Sequence, residues 1–413
     1  MIVLCSAVEQ RAVPDAPDDY APASVSCPSP RPTIRAATSL SADEKAWLRI
    51  RDNNTVPALK SLLSRFNISG LDTETYIDNI VKGVNGGNDS AILPRIGIAI
   101  SGGGYRALMN GAGAISAFDN RTSNSTAPGQ LGGLLQATTY LSGLSGGSWL
   151  VGSLFVQNFT TFDSSILEGP AGLEVGQYYN ELYQTVQGKV DADFNTTITD
   201  YWGRALSYQL VNSTDGGPAY TFSSVANDTD FSAANTPMPI IIALEQAPGQ
   251  LQVPSNATVF EFNPWEMGSY DPGAAAFAPL KYVGSDFNNG QISRTGKCIA
   301  GVDNAGFVMG TSSSLFNQAF LQIGKASGVP DVFVRALNQT LESIGNAKKD
   351  IASWPNPFFK FDSDSNANAN STLLTLVDGG EALENIPLHP LTLKDRHLDV
   401  IFAIDGSADT QTY

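Results

Sequence analysis

Two segments of the chain share one pattern: an apolar run, a turn rich in glycine, and then a stretch typical of a closely packed helix. In the first segment, residues 96–100 (IGIAI) precede the turn 101–104 (SGGG), and residues 105–119 follow it. In the second, an apolar run precedes the turn 143–147 (GLSGG) and the stretch SWLVGSLFV. Two strand–turn–helix units in succession indicate parallel strands covered by helices. The sequence therefore predicts an α/β fold with a central, mainly parallel sheet and helices on both faces.

The charge balance argues against some classes of partner. The chain has 24 lysines and arginines against 40 aspartates and glutamates, a net charge of −16, and its acidic residues are scattered. Nucleic-acid binding and electrostatic docking on anionic membranes both need clustered basic residues, so we expect no nucleic-acid partner. No run of about 18 apolar residues occurs, so no transmembrane helix is predicted.

Sequons for N-glycosylation are frequent, because 12 of the 28 asparagines begin an Asn-x-Ser/Thr triplet. They are Asn53, Asn67, Asn88, Asn120, Asn124, Asn158, Asn195, Asn212, Asn227, Asn256, Asn338 and Asn370. Such triplets accept N-glycans in proteins of the secretory pathway. The N-terminal stretch MIVLCSAVEQRAV has the apolar core of an export signal but is short and has no basic start. We expect a glycosylated protein, secreted or associated with the cell wall, with residues 1–19 as a shortened signal and lead-in.

Three cysteines occur in the chain. Cys5 would leave with the signal, and Cys27 and Cys298 would remain. In an oxidising compartment these two would pair as a disulfide; the alternative is two buried thiols, and their spacing alone does not decide.

A candidate nucleophile lies in the second glycine-rich turn. Residues 143–147 fit G-x-S-x-G, a turn that lifts the hydroxyl of its serine, here Ser145, above the end of a strand and against the positive end of the next helix. The flanking glycines leave room in that strained turn. A turn that only packs a helix onto a sheet fits the same pentapeptide, so the motif alone does not separate the two interpretations.

The first glycine-rich turn supplies what an acyl-transfer serine needs. Backbone N–H groups of glycines are unobstructed, and they could face the negative charge that develops on a carbonyl oxygen during acyl transfer. Dinucleotide binding competes with this interpretation, because Gly102, Gly104 and Ala107 satisfy G-x-G-x-x-A after a strand and Asp119 follows. Against it, Asp119 lies at the end of the predicted helix, and a second serine turn and many sequons are present.

The general base has two kinds of candidate. The chain has two histidines, His389 and His397, and a Ser-His-Asp triad remains open with either. Asp378 ends an apolar strand and precedes two glycines in LVDGGEALENIPLHPL, where a carboxylate can enter a site. A Ser-Asp dyad is the more economical assignment, although an aspartate that caps a turn fits the same position.

Four ordered motifs together resemble the fungal phospholipase B (lysophospholipase) family, which is similar to the cytosolic, arachidonate-releasing phospholipases. They are SGGGYRALMNGAGA, GLLQATTYLSGLSGGSWLVGSL, GFVMGTSSSLFNQ and LVDGGEALENIPLHPL. The resemblance implies a patatin-like hydrolase that removes acyl chains from lysophospholipids and diacyl phospholipids at a lipid interface. It implies Ser145 as nucleophile, Asp378 as its proton acceptor, Gly103 and Gly104 as oxyanion donors, and Arg106 as the contact for the substrate phosphate. Neither a metal nor another cofactor is implied.

The resemblance also bears on domain organisation. It implies one catalytic domain over residues 20–413, with a candidate cap at about 160–300, and this chain is expected to lack the further C-terminal segment of the family. A longer precursor with a lipid anchor would fit the same family. Two other classes of function stay open: a secreted serine esterase with a histidine base, and a lipid-binding glycoprotein without catalysis.

Overall fold

A computed structural model describes residues 14–407, apart from positions 67, 158, 255 and 383, segments 86–92, 160–174 and 247–252, and almost all of 317–350. The predicted export signal, with Cys5, lies outside the described residues. Within them, no helix is both long enough and apolar enough to cross a membrane.

The described part of the chain contains both helices and strands. The helices are α1 (Ala42–Ser64), α2 (Thr73–Asn85), α3 (Gly104–Phe118), α4 (Leu134–Ala137), α5 (Gly146–Val156), α6 (Val175–Asp191), α7 (Ile198–Leu210), α8 (Thr229–Ser232) and α9 (Ala305–Thr311). The strands are β1 (Ala23–Val25), β2 (Arg35–Ala36), β3 (Ile96–Ile100), β4 (Thr138–Gly143), β5 (Met238–Glu245), β6 (Val259–Phe262), β7 (Glu266–Ser269), β8 (Ala276–Pro279), β9 (Phe287–Asn288), β10 (Gln291–Ile292), β11 (Cys298–Ala300), β12 (Ala352–Pro355), β13 (Leu373–Val377) and β14 (Val400–Ile404). Both predicted strand–turn–helix units are confirmed, as β3–α3 and β4–α5.

Ten of these strands form one mixed sheet, in the order β14-β3-β4-β5-β6-β7-β8-β2, with β13 paired to β5 and β12 to β13. The pairings from β14 to β5 are parallel, and all the others are antiparallel. The predicted α/β fold is confirmed, but the prediction of a mainly parallel sheet holds only for these four strands. Short links join β6, β7 and β8, and links of that length allow only antiparallel pairing.

Helices cover both faces of the parallel strands, as predicted. Side chains alternate between the faces of a strand, so neighbouring residues report opposite faces. Tyr140 of β4 donates a hydrogen bond to Glu44 of α1, with 2.7 Å between the oxygens. On the other face, Ile100 of β3 lies beside Gly111 of α3 and Leu150 of α5. The core between these layers is apolar and almost fully buried.

A buried cation ties helix α1 to the antiparallel strand β6. Arg396 is fully buried, and its guanidinium donates to Glu44 of α1 at 2.9 Å and to Glu261 of β6 at 2.6 Å. Burial disfavours the charge on Arg396, but the two carboxylates raise its pKa well above its usual value. Removing one partner of such a group leaves an uncompensated buried charge, which costs about 3–5 kcal/mol.

The range of about residues 160–300, predicted as a candidate cap, contains two kinds of element. Helices α6, α7 and α8 lie in its first part, but strands β5 to β8 from its second part belong to the central sheet. The amphipathic and apolar patterns identify the helices and strands, but they do not show which strands pair with one another.

Cys27 and Cys298 form a disulfide, with 5.2 Å between their Cα atoms. It links the antiparallel pair β1 and β11, where Val25 lies opposite Cys298. The two cysteines are 271 positions apart, so the bond restricts the unfolded chain strongly, a contribution of roughly 2–5 kcal/mol.

The most important feature for the site is the edge of β5 that two strands share. Strand β4 runs parallel to β5 and ends with Gly143 opposite Ile241. Strand β13 runs antiparallel to the same strand and ends with Val377 opposite Leu244. The ends of β4 and β13 therefore approach each other across about three residues of β5, roughly 10 Å.

Candidate active site

Ser145 lies at the tight turn between β4 and α5 and is 3% exposed. Its backbone has φ 52° and ψ −119°, a left-handed region that is costly for a serine. Close packing around the turn holds it there. A Cβ at Gly146 would lie 2.1 Å from the carbonyl oxygen of Gly104, and one at Gly143 would lie 2.6 Å from that of Gly147. Glycine is therefore required on both sides of the serine.

Asp378 follows β13 and meets Ser145 across the gap along β5. The Ser145 hydroxyl donates to Asp378 Oδ2 at 2.9 Å, and the Gly380 N–H donates to Oδ1 at 2.9 Å. The carboxyl group is 2% exposed, and burial raises its pKa to about 6, although these two hydrogen bonds oppose the rise. The carboxyl is therefore ionised at neutral pH and is a stronger base than a solvated aspartate.

The first glycine-rich turn packs directly against this serine. A Cβ at Gly102 would lie 3.2 Å from the Ser145 Cβ, and the Gly147 N–H donates to the Ser101 carbonyl at 3.1 Å. Gly103 (φ 129°) and Gly104 (φ 62°) open helix α3 with conformations that favour glycine. In the part of the chain that the structure describes, neither of their N–H groups donates to another protein group.

Arg106 is exposed on the first turn of α3. Its Nε donates to the Gly406 carbonyl at 2.6 Å, and a Cβ at Gly103 would lie 2.8 Å from its Nη2. The guanidinium therefore lies against the glycine-rich turn, close to the two unpaired N–H groups. All five residues of the predicted site are thus brought to one end of the parallel strands.

Three further residues contact the site and were not predicted. Asn385 binds the glycine-rich turn twice: its carbonyl accepts from the Gly102 N–H at 2.9 Å, and its Nδ2 donates to the Gly102 carbonyl at 3.1 Å. The hydroxyls of Ser312 and Ser314 accept from the N–H groups of Ser145 and Asp378. The sequence signals were weak, since Asn385 lies inside a longer motif and the run TSSS at 311–314 only interrupts an apolar stretch.

Both histidines have other surroundings. His389 Nε2 lies 2.9 Å from Asp271 Oδ1, and this pairing raises the pKa of the histidine. His397 lines a cavity together with Arg95, which immediately precedes β3, whereas the glycine-rich turn follows β3. The five residues of that strand span roughly 16 Å.

Asp119, the acidic residue that dinucleotide binding would need, lies far from the first glycine-rich turn. Asp119 caps the C-terminal end of α3, and its carboxylate is bound to Arg121 at 2.7 Å and to Gln136 at 2.8 Å. A helix of 15 residues, about 22 Å long, separates it from the glycine-rich turn. Among the described residues, no cluster of three histidine, cysteine, aspartate or glutamate side chains could hold a metal ion.

Fold and site together define a class of protein, the serine hydrolases with an α/β fold. An α/β sheet carries a serine on a strand-to-helix turn, a buried carboxylate that accepts its hydrogen bond, and unpaired backbone N–H groups beside it. These are the parts that acyl transfer through a serine requires.

The chain belongs to the family described as the lysophospholipase catalytic domain, whose model matches residues 96–413. Lysophospholipase 1 of Aspergillus fumigatus is 52% identical over 98% of this chain, and lysophospholipase 3 of Saccharomyces cerevisiae is 43% identical over 95%. The chain spans 66% and 60% of their respective lengths. Human GIVD cytosolic phospholipase A2 has a similar fold, with a TM-score of 0.65, 19% identity, and coverage of 92% of this chain and 52% of that one.

The packing of the two turns predicts the effect of a single methyl group. Gly146→Ala places a Cβ against the Gly104 backbone, so either the serine turn or the glycine-rich turn must shift. We expect esterase activity to fall at least about tenfold, since small displacements at a reacting centre are costly, and Tm to fall with it.

Gly113→Ala is the matched control. It lies on α3 with nothing within 4 Å of its added Cβ, so we expect unchanged activity and a slightly higher Tm. Equal behaviour of the two variants in activity and thermal unfolding would contradict the packing argument.

Proposed function

We propose that this chain is a lysophospholipase that hydrolyses the fatty acyl ester of lysophospholipids, and also of diacyl phospholipids, through an acyl group on Ser145. The hydrogen bond of 2.9 Å from the Ser145 hydroxyl to the buried Asp378 carboxylate carries the proposal. Membership of the lysophospholipase family and the names of the fungal relatives support the substrate class.

In the first step, Ser145 Oγ attacks the carbonyl carbon of the ester while Asp378 Oδ2 accepts its proton. A carboxyl with a pKa of about 6 suits both parts of the cycle, since it accepts this proton and releases it again near neutral pH. The protonated carboxyl then donates to the glycerol oxygen as the C–O bond breaks. The alcohol leaves, and the acyl group remains on Ser145.

In the second step, a water molecule attacks the acyl-serine and Asp378 accepts a proton from it. The same carboxyl returns that proton to Ser145 Oγ, and the free fatty acid leaves. In both steps the carbonyl oxygen becomes negatively charged, and the N–H groups of Gly103 and Gly104 donate to it. Their unpaired state and their place at the start of α3 favour an anion there.

Arg106 would bind the phosphate of the substrate. Its Nε is already used by the Gly406 carbonyl, which directs the guanidinium across the glycine-rich turn. A planar guanidinium can still donate paired hydrogen bonds to phosphate oxygens, which lysine cannot reproduce. The permanent charge of the lipid and the transient charge of the reaction would thus lie on one turn.

Secretion and N-glycosylation are part of the proposal. The asparagine of every sequon that the structure describes is exposed, namely Asn53, Asn120, Asn124, Asn195, Asn212, Asn227, Asn256 and Asn370. Several other asparagines, among them Asn263, Asn304 and Asn356, are buried. Exposure of the acceptors and the Cys27–Cys298 disulfide both fit an extracellular or cell-wall location.

Dyad variants test the reaction. Ser145→Ala and Asp378→Asn should each lower fatty-acid release from lysophosphatidylcholine at least about 10³-fold. His389→Ala and His397→Ala should keep the wild-type rate. Asp378→Asn removes a buried charge, so its Tm should equal or exceed that of wild type.

The wild-type rate should fall as pH falls through about 6, because protonated Asp378 cannot accept the serine proton.

Two results would count against this reaction. Loss of activity in a folded histidine variant would favour a histidine base. A folded wild-type chain whose Ser145 is not labelled by a fluorophosphonate, and which releases no fatty acid, would favour a lipid-binding glycoprotein without catalysis. A fluorophosphonate is bound in one solved structure of GIVD cytosolic phospholipase A2, which has a TM-score of 0.58 to this chain.

Arg106→Lys tests phosphate recognition. Charge-assisted hydrogen bonds contribute about 1.5–3 kcal/mol, so kcat/KM for lysophosphatidylcholine should fall roughly 10- to 100-fold. An uncharged ester of the same fatty acid is the internal control and should be cleaved at nearly the wild-type rate. Equal losses on both substrates would show that Arg106 does not bind phosphate.

Enzymatic removal of N-glycans tests secretion through a glycosylating pathway. The chain secreted from a eukaryotic host should lose apparent mass on treatment, and Asn→Gln changes at exposed sequons should reduce that loss stepwise. An untreated mass equal to that of the bare polypeptide would rule glycosylation out.

A further inference from the structure

The short segment 311–314 (TSSS) at the end of α9 contacts both halves of the candidate dyad. Its four residues are fully buried. Ser312 Oγ accepts from the N–H of Ser145 at 3.0 Å, and Ser314 Oγ accepts from the N–H of Asp378 at 2.9 Å. Ser145 and Asp378 are 233 positions apart, and this segment binds the backbone of each one.

The two remaining residues of the segment are bound to the surrounding frame, which consists of helix α9 and the indoles of Trp202 and Trp354. Thr311 Oγ1 donates to a carbonyl of α9 and accepts from the Trp354 indole at 3.1 Å. Ser313 Oγ also donates to a carbonyl of α9 and accepts from the Trp202 indole at 3.0 Å. Trp354 belongs to β12, the partner of β13, and Trp202 belongs to α7. Alternate hydroxyls of the segment therefore contact the frame and the site.

Pairing between strands does not by itself hold the ends of β4 and β13 together. Strands β4 and β13 pair with β5 but not with each other, and about three residues of β5 separate their ends. Ser145, with its φ of 52°, and Asp378 both lie just beyond their strands. A buried N–H there needs an acceptor from elsewhere, and a side chain held by its own frame is less mobile than a water molecule.

We propose that Ser312 and Ser314 are positioning residues that hold Ser145 and Asp378 at the separation the reaction needs. The proposal rests on the proposed function, because it assigns them to the same dyad. Neither serine transfers a proton or contacts the reacting carbonyl. Each acts through the backbone of its partner, and together they join two strand ends that the sheet leaves unpaired.

Four variants test the proposal: Ser312→Ala, Ser314→Ala, the double variant, and Ser313→Ala as the matched control. Ser313 is equally buried, and its hydroxyl is hydrogen-bonded to Trp202 and to a carbonyl of α9, but it contacts neither dyad residue. We expect kcat for lysophosphatidylcholine to fall about 10- to 100-fold in each of the first two, with KM nearly unchanged. Ser313→Ala should keep kcat within about twofold of wild type, at a comparable loss of Tm.

Two further measurements separate positioning from a general loss of stability. The double variant should lose less than the product of the single losses, since both serines act on one distance. The acid limb of the pH profile should move to higher pH in Ser312→Ala and not in Ser313→Ala, because the Ser145 hydrogen bond lowers the pKa of Asp378 and would weaken. If the alanine variants do not fold, Ser312→Cys and Ser314→Cys keep the side-chain volume with a weaker acceptor.

The outcomes are distinct. If wild type is active and Ser312→Ala and Ser314→Ala match Ser313→Ala in kcat and in pH profile, the positioning role is overturned and the dyad stands. If wild type neither releases fatty acid nor reacts with a fluorophosphonate, the proposed function fails first, and the positioning role fails with it. Lower kcat per labelled Ser145 in the two variants, with the control unaffected, supports the proposal.

Discussion

The geometry of this molecule depends on the edge of β5 that two strands share. Strand β4 occupies one part of that edge in parallel, and β13 occupies another part in antiparallel orientation. Parallel and antiparallel neighbours on one edge must point their chain ends at each other, so Ser145 and Asp378 meet where the ladder is interrupted. An all-parallel sheet would place every strand end at one rim and would leave no such head-on approach.

The same arrangement has an energetic cost. The Asp378 carboxylate is buried with hydrogen bonds from Ser145 and Gly380 and has no cationic partner in the described structure, so burial raises its pKa. By contrast, the buried charge of Arg396 is compensated by Glu44 and Glu261. A buried carboxyl with a raised pKa that accepts a hydrogen bond from a candidate nucleophile is typical of a group that exchanges a proton.

Local parts of the site could be predicted from sequence, and long-range parts could not. The strand IGIAI has the predicted bounds, and both glycine-rich turns lie where their patterns place them, because apolar runs and glycine act over a few residues. The register of β3 and β4 brings the two turns together, because Ile100 lies opposite Gly143 in these neighbouring parallel strands. The pairing of β13 with β5 and the contacts of Asn385 with the first glycine-rich turn join segments that are distant in sequence, and no local pattern encodes them.

The run TSSS shows why a polar stretch beside an apolar helix is hard to interpret from sequence. Each hydroxyl there binds a group from a different element: β12, α7, the turn after β4, and the end of β13. Its composition indicates only that buried polar groups need partners. The structure shows that two of those partners are the backbones of Ser145 and Asp378, which are 233 positions apart in the sequence.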